Sequence, residues 1–227
     1  MTLPSIILVT GTDTGVGKTV TTAALASALQ AQGRSVSVYK PCQSGSAVGD
    51  SDVAEVVRLA GPLTAEAGVV LGEPMAPVPA AALDGVVLPP LAQHAERILG
   101  LASGHDHVLV EGAGGLLVEL DHDGGTLASL GALLGRRAGF VVVARPSLGT
   151  LNHTALTLEA LERRRLPVAG VVLGSWPGTP GAVEFSNRET MAAWRFPFLG
   201  ALPADAAALD PVDFRDRAGS WFEGIAA

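Results

Sequence analysis

A glycine-rich turn between a buried strand and a helix constrains this chain more than any other feature. Ile6, Ile7, Leu8, Val9 and Thr10 form an apolar, β-branched run that reads as a fully buried strand. Residues 19–32 carry apolar side chains at helical spacing (Val20, Ala23, Ala24, Leu25, Ala28, Leu29), with Gly33 as the stop. Between them stand Gly11, Thr12, Asp13, Thr14, Gly15, Val16, Gly17, Lys18 and Thr19. Glycines allow backbone N–H groups to turn inward around an anion, and the helix N-terminus adds its partial positive charge. In such a loop Lys18 reaches the β- and γ-phosphates and the Thr19 hydroxyl ligates Mg²⁺. The usual spacing has a glycine, four residues and then the Gly-Lys pair. Here Thr12 occupies the first glycine position, and Gly11 leaves five residues in between. Partition and septum-positioning ATPases carry an additional lysine five residues before Lys18; that position is Asp13.

The rest of the chain repeats the alternation. Strands are expected at 35–39, 108–110, 140–144 and 168–173, and helices at 53–59 and 150–165. Strands apolar on both faces and separated by helices imply a parallel sheet covered on both sides. A length of 227 residues suits one α/β domain spanning 1–227. Pro74, Pro77, Pro79, Pro89 and Pro90 make 73–90 an expected loop or extended lid, and 176–181 reads as loop as well. A short helix is expected at 213–223, with Phe214, Trp221 and Phe222 as packing residues. The net charge of −7 argues against a nucleic-acid backbone binder, which needs a basic face. No apolar run approaches the ~18 residues of a membrane span, and the N-terminus has no basic region preceding an apolar core. The single cysteine, Cys42, excludes an internal disulfide and any multi-cysteine metal knuckle. Together these features point to the cytoplasm.

Charge is also distributed unevenly by type. Of 15 basic residues only Lys18 and Lys40 are lysines. An ammonium is a compact point charge and a guanidinium a broad fork, so a chain that keeps two lysines has a use for them that arginine does not serve. Lys40 is expected to end the second strand, where Pro41 stops the ladder and Gly45 and Gly49 loosen the following loop. Ligands in open α/β sheets sit beyond the C-terminal strand ends, which puts Lys40 on the edge of the phosphate loop. Ser44 in the same loop is a candidate substrate contact. Cys42 is read as a small space-filling residue, with a nucleophile as the weaker alternative. Two acidic positions can complete a Mg²⁺ shell. Glu111 ends the apolar run Val108, Leu109, Val110 and opens into Gly112, Ala113, Gly114 and Gly115, the form of a Walker B element. The other lies in Gly49, Asp50, Ser51 and Asp52 before a helix, where an acid can equally be a cap. His105 and His107, one residue apart, read as solvated loop histidines.

Taken together, residues 11–19, 39–45, 51–52, 110–115 and 148–153 resemble the dethiobiotin synthetase family, in family order across roughly the first 200 residues. The five-residue gap in the phosphate loop is the family's own form. The resemblance implies a three-layer α/β, P-loop NTPase-like fold with a mostly parallel sheet flanked by helices. It also implies a cytoplasmic homodimer with the substrate site at the subunit interface, and ATP- and Mg²⁺-dependent carboxylation of 7,8-diaminononanoate by CO₂ in biotin biosynthesis. By family match Thr19, Asp52 and Glu111 hold Mg²⁺, Lys18 and Lys40 are catalytic, and Lys40 faces a carbamate. Gly15, Val16, Gly17, Lys18, Thr19 and Val20 surround the nucleotide phosphates, together with Gly112, Ala113 and Gly114. Thr14 and Ser44 contact the diamine, while Leu148, Gly149 and Asn152 of the second subunit bind the substrate carboxylate.

Two positions depart from the family. Gly174 stands where an Asn often reads the base, so another nucleotide such as CTP can serve, and base contacts fall to Gly174, Ser175, Pro203, Ala204 and Asp205. A Pro-His pair common in the lid is Pro77-Val78 here. Two other readings compete. The synthetase part of a cobyrinate-type amidotransferase expects a glutaminase domain for which 227 residues leave no room. A partition-type nucleotide switch is opposed by Asp13 and by the acidic net charge.

Overall fold

The computed structural model describes residues 3–49 and 51–223. In chain order it contains β1 (Ile6–Gly11), α1 (Lys18–Ala31), β2 (Val36–Gln43), α2 (Asp52–Ala60), β3 (Thr64–Val70), α3 (Pro77–Asp84), α4 (Leu91–Ala102) and β4 (His107–Gly115). These are followed by α5 (Leu127–Leu134), β5 (Ala138–Ala144), α6 (Thr150–Arg163), β6 (Val168–Trp176), α7 (Ala182–Ala192), β7 (Phe198–Pro203) and α8 (Pro211–Ala218). The strands form one seven-stranded sheet in the order β3-β2-β4-β1-β5-β6-β7, with every neighbouring pair parallel.

Period-two alternation along the buried strands divides the core into two layers. On β1, Ile6 and Leu8 join a cluster with Ile98 of α4, Leu130 of α5 and Leu161 of α6. Ile7 and Val9 join the other, with Leu25 of α1, Val56 of α2 and Phe214 of α8. The result is three layers, helix on sheet on helix. Because the strands are parallel, their C-terminal ends share one edge. Strand order reverses beside β1, which is where a crevice opens in such sheets. The phosphate loop leaves the sheet at that point.

The expected strands and helices all occur, with corrections at several ends. Two strands were not anticipated. β3 is an edge strand of small and half-exposed residues, and β7 contains Gly200 and Pro203; neither has the apolar β-branched run that marks a buried strand. β2 does not stop at Lys40. Pro41 ends pairing only toward β4, whose register with β2 closes at Tyr39↔Val110. Toward β3 the ladder continues to Cys42↔Val69 and Gln43↔Val70. The proline-rich segment 73–90 contains a helix, α3, because Pro77 and Pro79 fall in its first turn, where the N–H groups have no helical partner anyway. Trp176 belongs to β6, and loop begins only after it. α6 ends at Arg163 and Arg165 takes a left-handed conformation, so the helix is shorter than 150–165. The C-terminal helix runs Pro211–Ala218, followed by a 3-10 turn at Gly219–Trp221, with Phe214, Trp221 and Phe222 buried as expected. His107 opens β4 and is half-buried, its Nδ1 3.0 Å from Pro4 O, and His105 Nδ1 lies 3.0 Å from Leu101 O. Neither is a freely solvated loop histidine. Among the described residues, no helix is long and apolar enough to cross a membrane.

Candidate functional site

The phosphate loop takes its shape from glycines in the left-handed region. Gly15 has φ +71° and Gly17 φ +96°, conformations that L side chains avoid. Gly17 also lies against β6. A Cβ on Gly17 would stand 2.3 Å from Gly174 O, and one on Gly174 would stand 2.1 Å from Val16 O and 2.6 Å from Val143 Cγ1. The two glycines thus let the loop cross the strand at backbone distance. Gly174, considered from sequence as a missing base-reading side chain, is a position with no space for any side chain.

The two lysines converge. Lys18, at the start of α1, is buried and donates from Nζ to Asp13 O at 3.1 Å. Lys40 is 4% exposed and its Nζ lies 2.5 Å from Asp52 Oδ2 and 2.9 Å from Glu111 Oε1. Burial pulls the Lys40 pKa down, but the Glu111 and Asp52 carboxylates outweigh it and hold the ammonium above its ordinary value. Lys18 moves the other way. Burial lowers it, and attraction from Glu111 does not compensate, with Lys40 adding repulsion. For Asp52, burial raises the pKa, but Lys40 and the hydrogen bonds from Lys40 and Thr19 bring it below the usual carboxylate range.

Thr19 Oγ1 sits 2.8 Å from Asp52 Oδ1 and 2.9 Å from Glu111 Oε1. One hydroxyl proton can serve only one of these oxygens at a time. Three hard oxygen atoms gathered in this way, with the Lys40 ammonium sharing Glu111 Oε1, form a donor set suited to a small divalent cation. Two carboxylates and a hydroxyl match Mg²⁺, which takes few protein ligands and completes its shell with water and phosphate oxygens. Among the described residues, no group of three or more His, Cys, Asp or Glu side chains is placed to hold a metal. Ser51, not Asp52, caps α2, accepting from Ala54 N–H; Asp52 is thereby free to face the site. Asp50 of the same run lies outside the described residues.

These groups open on a cavity of about 860 Å³. It reaches from Thr14, Ala113 and Gly114, past Lys18, Lys40, Ser44 and Glu111, to Glu55 and Arg58 on α2, with Pro74, Met75 and Ala76 along one wall. Gly15, Gly17, Thr19, Val20 and Asp52 also line it, while Val16 is buried beneath the loop. Gly112 does not line the cavity, but its carbonyl accepts from Lys40 Nζ at 3.5 Å. Ser175, Pro203, Ala204 and Asp205 are not part of this wall; they adjoin one another at the ends of β6 and β7, where Ala204 N–H donates to Trp176 O at 2.8 Å. Leu148, Gly149 and Asn152 are also outside the cavity, exposed at the start of α6. Cys42 is buried, with Sγ 3.6 Å from Leu120 O, and burial pushes its thiol up to about 12. It fills space, as the favoured reading expected.

Two contributors were not singled out as site residues from the sequence. Gln43 is buried; its Oε1 accepts Asp52 N–H and its Nε2 donates to Ser44 O, both at 2.9 Å, so it holds the start of α2 against the loop after β2. Arg58 is bidentate to Glu55 and donates to Ala207 O at 2.7 Å, joining α2 to the segment after β7.

Residues 5–211 match a family described as an AAA domain. Two proteins named ATP-dependent dethiobiotin synthetase BioD are similar along their full length. The one from Mycolicibacterium vanbaalenii is 46% identical, over 98% of this chain and 100% of its own. The one from Mycobacterium avium is 50% identical over 96% of each. Among solved structures, the cell division ATPase MinD of Pyrococcus furiosus superposes with a TM-score of 0.62 at 18% identity, covering 96% of this chain and 95% of its own. The septum site-determining protein MinD of Pyrococcus horikoshii, complexed with Mg-ADP, gives 0.61 at 17% identity, covering 96% and 92%. That likeness is one of fold alone.

Proposed function

The chain belongs to the ATP-dependent dethiobiotin synthetases, and on that footing we propose which of its residues carry each part of the reaction. The enzyme carboxylates 7,8-diaminononanoate with CO₂ and closes the ureido ring of dethiobiotin, releasing ADP and phosphate. One amine takes up CO₂ as a carbamate and loses a proton. The carbamate oxygen takes the γ-phosphoryl group, and the second amine then attacks the carbonyl carbon and expels phosphate.

Carbamate and triphosphate are both anionic, so the barrier to their meeting is largely electrostatic. Catalysis of this kind consists of positioning and fixed positive charge. Lys18 binds the β- and γ-phosphates with the loop amides of Gly15, Val16, Gly17, Thr19 and Val20. Lys40 faces the carbamate, and the glycines after Glu111 let the backbone approach it. Thr19, Asp52 and Glu111 hold Mg²⁺, which supplies charge neutralisation at the phosphates. Thr14 and Ser44 contact the diamine. The single observation carrying this division is that the chain's two lysines and three oxygen ligands converge on one cavity.

With no side chain possible at Gly174, the base is contacted by backbone near Ser175, Pro203, Ala204 and Asp205, which leaves CTP or another nucleotide able to replace ATP. Leu148, Gly149 and Asn152 serve the second subunit of a homodimer, where they bind the substrate carboxylate. Their exposure away from their own chain's cavity supports that division. The whole chain acts as one domain in the cytoplasm.

The test is incubation with the diamine, labelled bicarbonate, Mg²⁺ and a panel of nucleotides. Acid-stable label requiring both diamine and nucleotide is expected. Phosphate release indifferent to the diamine would sink the reading.

A further inference from the structure

The first half of the phosphate loop is tied to the end of β5 by two contacts. Thr12 N–H donates to Val143 O at 2.9 Å. The Asp13 carboxylate pairs with the guanidinium of Arg145, the first residue beyond β5. Asp13 is the hub of this half-loop. Its Oδ1 accepts Thr14 N–H at 2.7 Å, its Oδ2 meets Arg145, and its backbone oxygen accepts from Lys18 Nζ at 3.1 Å. One acidic residue thus orients both the lysine meant for the phosphates and the threonine meant for the diamine.

A carboxylate in a loop that must receive a triphosphate opposes its own ligand. The opposition is removed when an opposite charge is fixed on the carboxylate. Arg145 provides that charge from a rigid element, since it follows directly on the buried strand β5. We infer that Arg145 is a positioning residue for nucleotide binding: it neutralises Asp13 and holds its carboxylate so that the half-loop presents Lys18 and Thr14 together. The inference rests on the reading of residues 11–19 as the triphosphate site.

The test is a double-mutant cycle on the full chain, using equilibrium titration with a fluorescent ATP analogue and the KM values for nucleotide and diamine. Both Asp13 and Arg145 are partly exposed, so the effect is moderate. Arg145→Gln should weaken nucleotide binding roughly fivefold, the scale of a well-ordered exposed pair, with kcat changed less than about twofold. Arg145→Lys should restore most of the affinity. In an Asp13→Asn background the side-chain amide keeps an acceptor for Thr14 N–H but carries no charge, so Arg145→Gln should have no further effect there. An equal loss in both backgrounds, no loss in either, or failure of Arg145→Gln to fold would each overturn the inference. Lys18→Met separates this from the reading beneath it. If that variant binds the analogue as well as the parent, the triphosphate assignment itself fails; if it abolishes binding while Arg145→Gln changes nothing, only the role of Arg145 fails.

Discussion

The two ends of the proposed site differ in how they are built within one chain. At the phosphate end Lys18, Lys40 and Glu111 are buried, each makes at least one polar contact at 3.1 Å or less, and β1, β2 and β4 fix their positions from inside the sheet. At the proposed carboxylate end Leu148, Gly149 and Asn152 lie exposed at the start of a helix, outside the cavity of their own chain. The difference follows from the chemistry each end performs. Stabilising charge in a phosphoryl transfer needs cations held in place before the substrate arrives, which only a buried, cross-linked network provides. Gripping a distant carboxylate needs only a few polar groups at the correct distance, and a second subunit can bring them.

The sharpest way to break this comparison is Lys40→Arg. The Lys40 ammonium fits between Glu111 Oε1 and Asp52 Oδ2 at 2.9 and 2.5 Å with almost no exposure, and a planar guanidinium is too broad for that space. Turnover should fall by about a hundredfold or more, the scale seen when a preorganised charge donor is lost. Binding of the nucleotide analogue should change little. Steady-state kinetics beside a direct titration would expose the split, and near-normal turnover would refute a preorganised ammonium.

Gly174→Ala tests the backbone side of the same preorganisation. A methyl group 2.1 Å from Val16 O forces the loop off β6. Affinity for ATP and CTP should fall together, by roughly fivefold to a hundredfold if the displacement costs the 1–3 kcal/mol typical of overpacking. A change confined to one nucleotide would mean that position 174 reads the base instead of seating the loop. Gln43→Ala should be milder and more selective. It removes the acceptor of Asp52 N–H, so the Mg²⁺ concentration giving half-maximal activity should rise about tenfold, as for other groups that orient metal ligands. A Mg²⁺ titration at saturating substrates reads this directly, and an unchanged curve would dissociate Gln43 from the metal site.

The phosphate end was also the end most legible in the sequence, and for a related reason. Preorganised anion sites need glycine, lysine and hydroxyl residues at fixed spacing, and buried parallel strands need continuous apolar runs, so Gly11–Thr19, Lys40 and Glu111 declared themselves. The features that stayed hidden depend on how separate elements are brought together by the fold. Nothing near Gln43 indicates that its amide meets Asp52 N–H, and nothing near Arg145 indicates Asp13, a partner 132 positions away. β3 and β7 escaped because edge strands can be short, small and half-exposed, and α3 because its prolines look like loop until their place in the first turn is known. Gly174 is the instructive case. From sequence it marked a lost base contact, whereas its geometry shows a position that the loop itself occupies.

The exposed end should answer to a different variable, protein concentration. If Asn152 acts on the partner's substrate, Asn152→Ala should raise the KM for the diamine by roughly tenfold or more, the loss of one hydrogen bond to a charged group worth about 1.5 kcal/mol or more. The nucleotide KM should stay where it was, and kcat should fall little because the carboxylate lies far from the reacting atoms. The same arrangement makes the carboxylate grip vanish on dilution below the dimer's dissociation constant, so the diamine KM of the parent should rise toward that of the variant while the variant's KM hardly moves. Measuring both curves over a dilution series decides where Asn152 works. A diamine KM independent of concentration in the parent, with a full effect of Asn152→Ala, would put the grip within one chain and erase the contrast between the two ends.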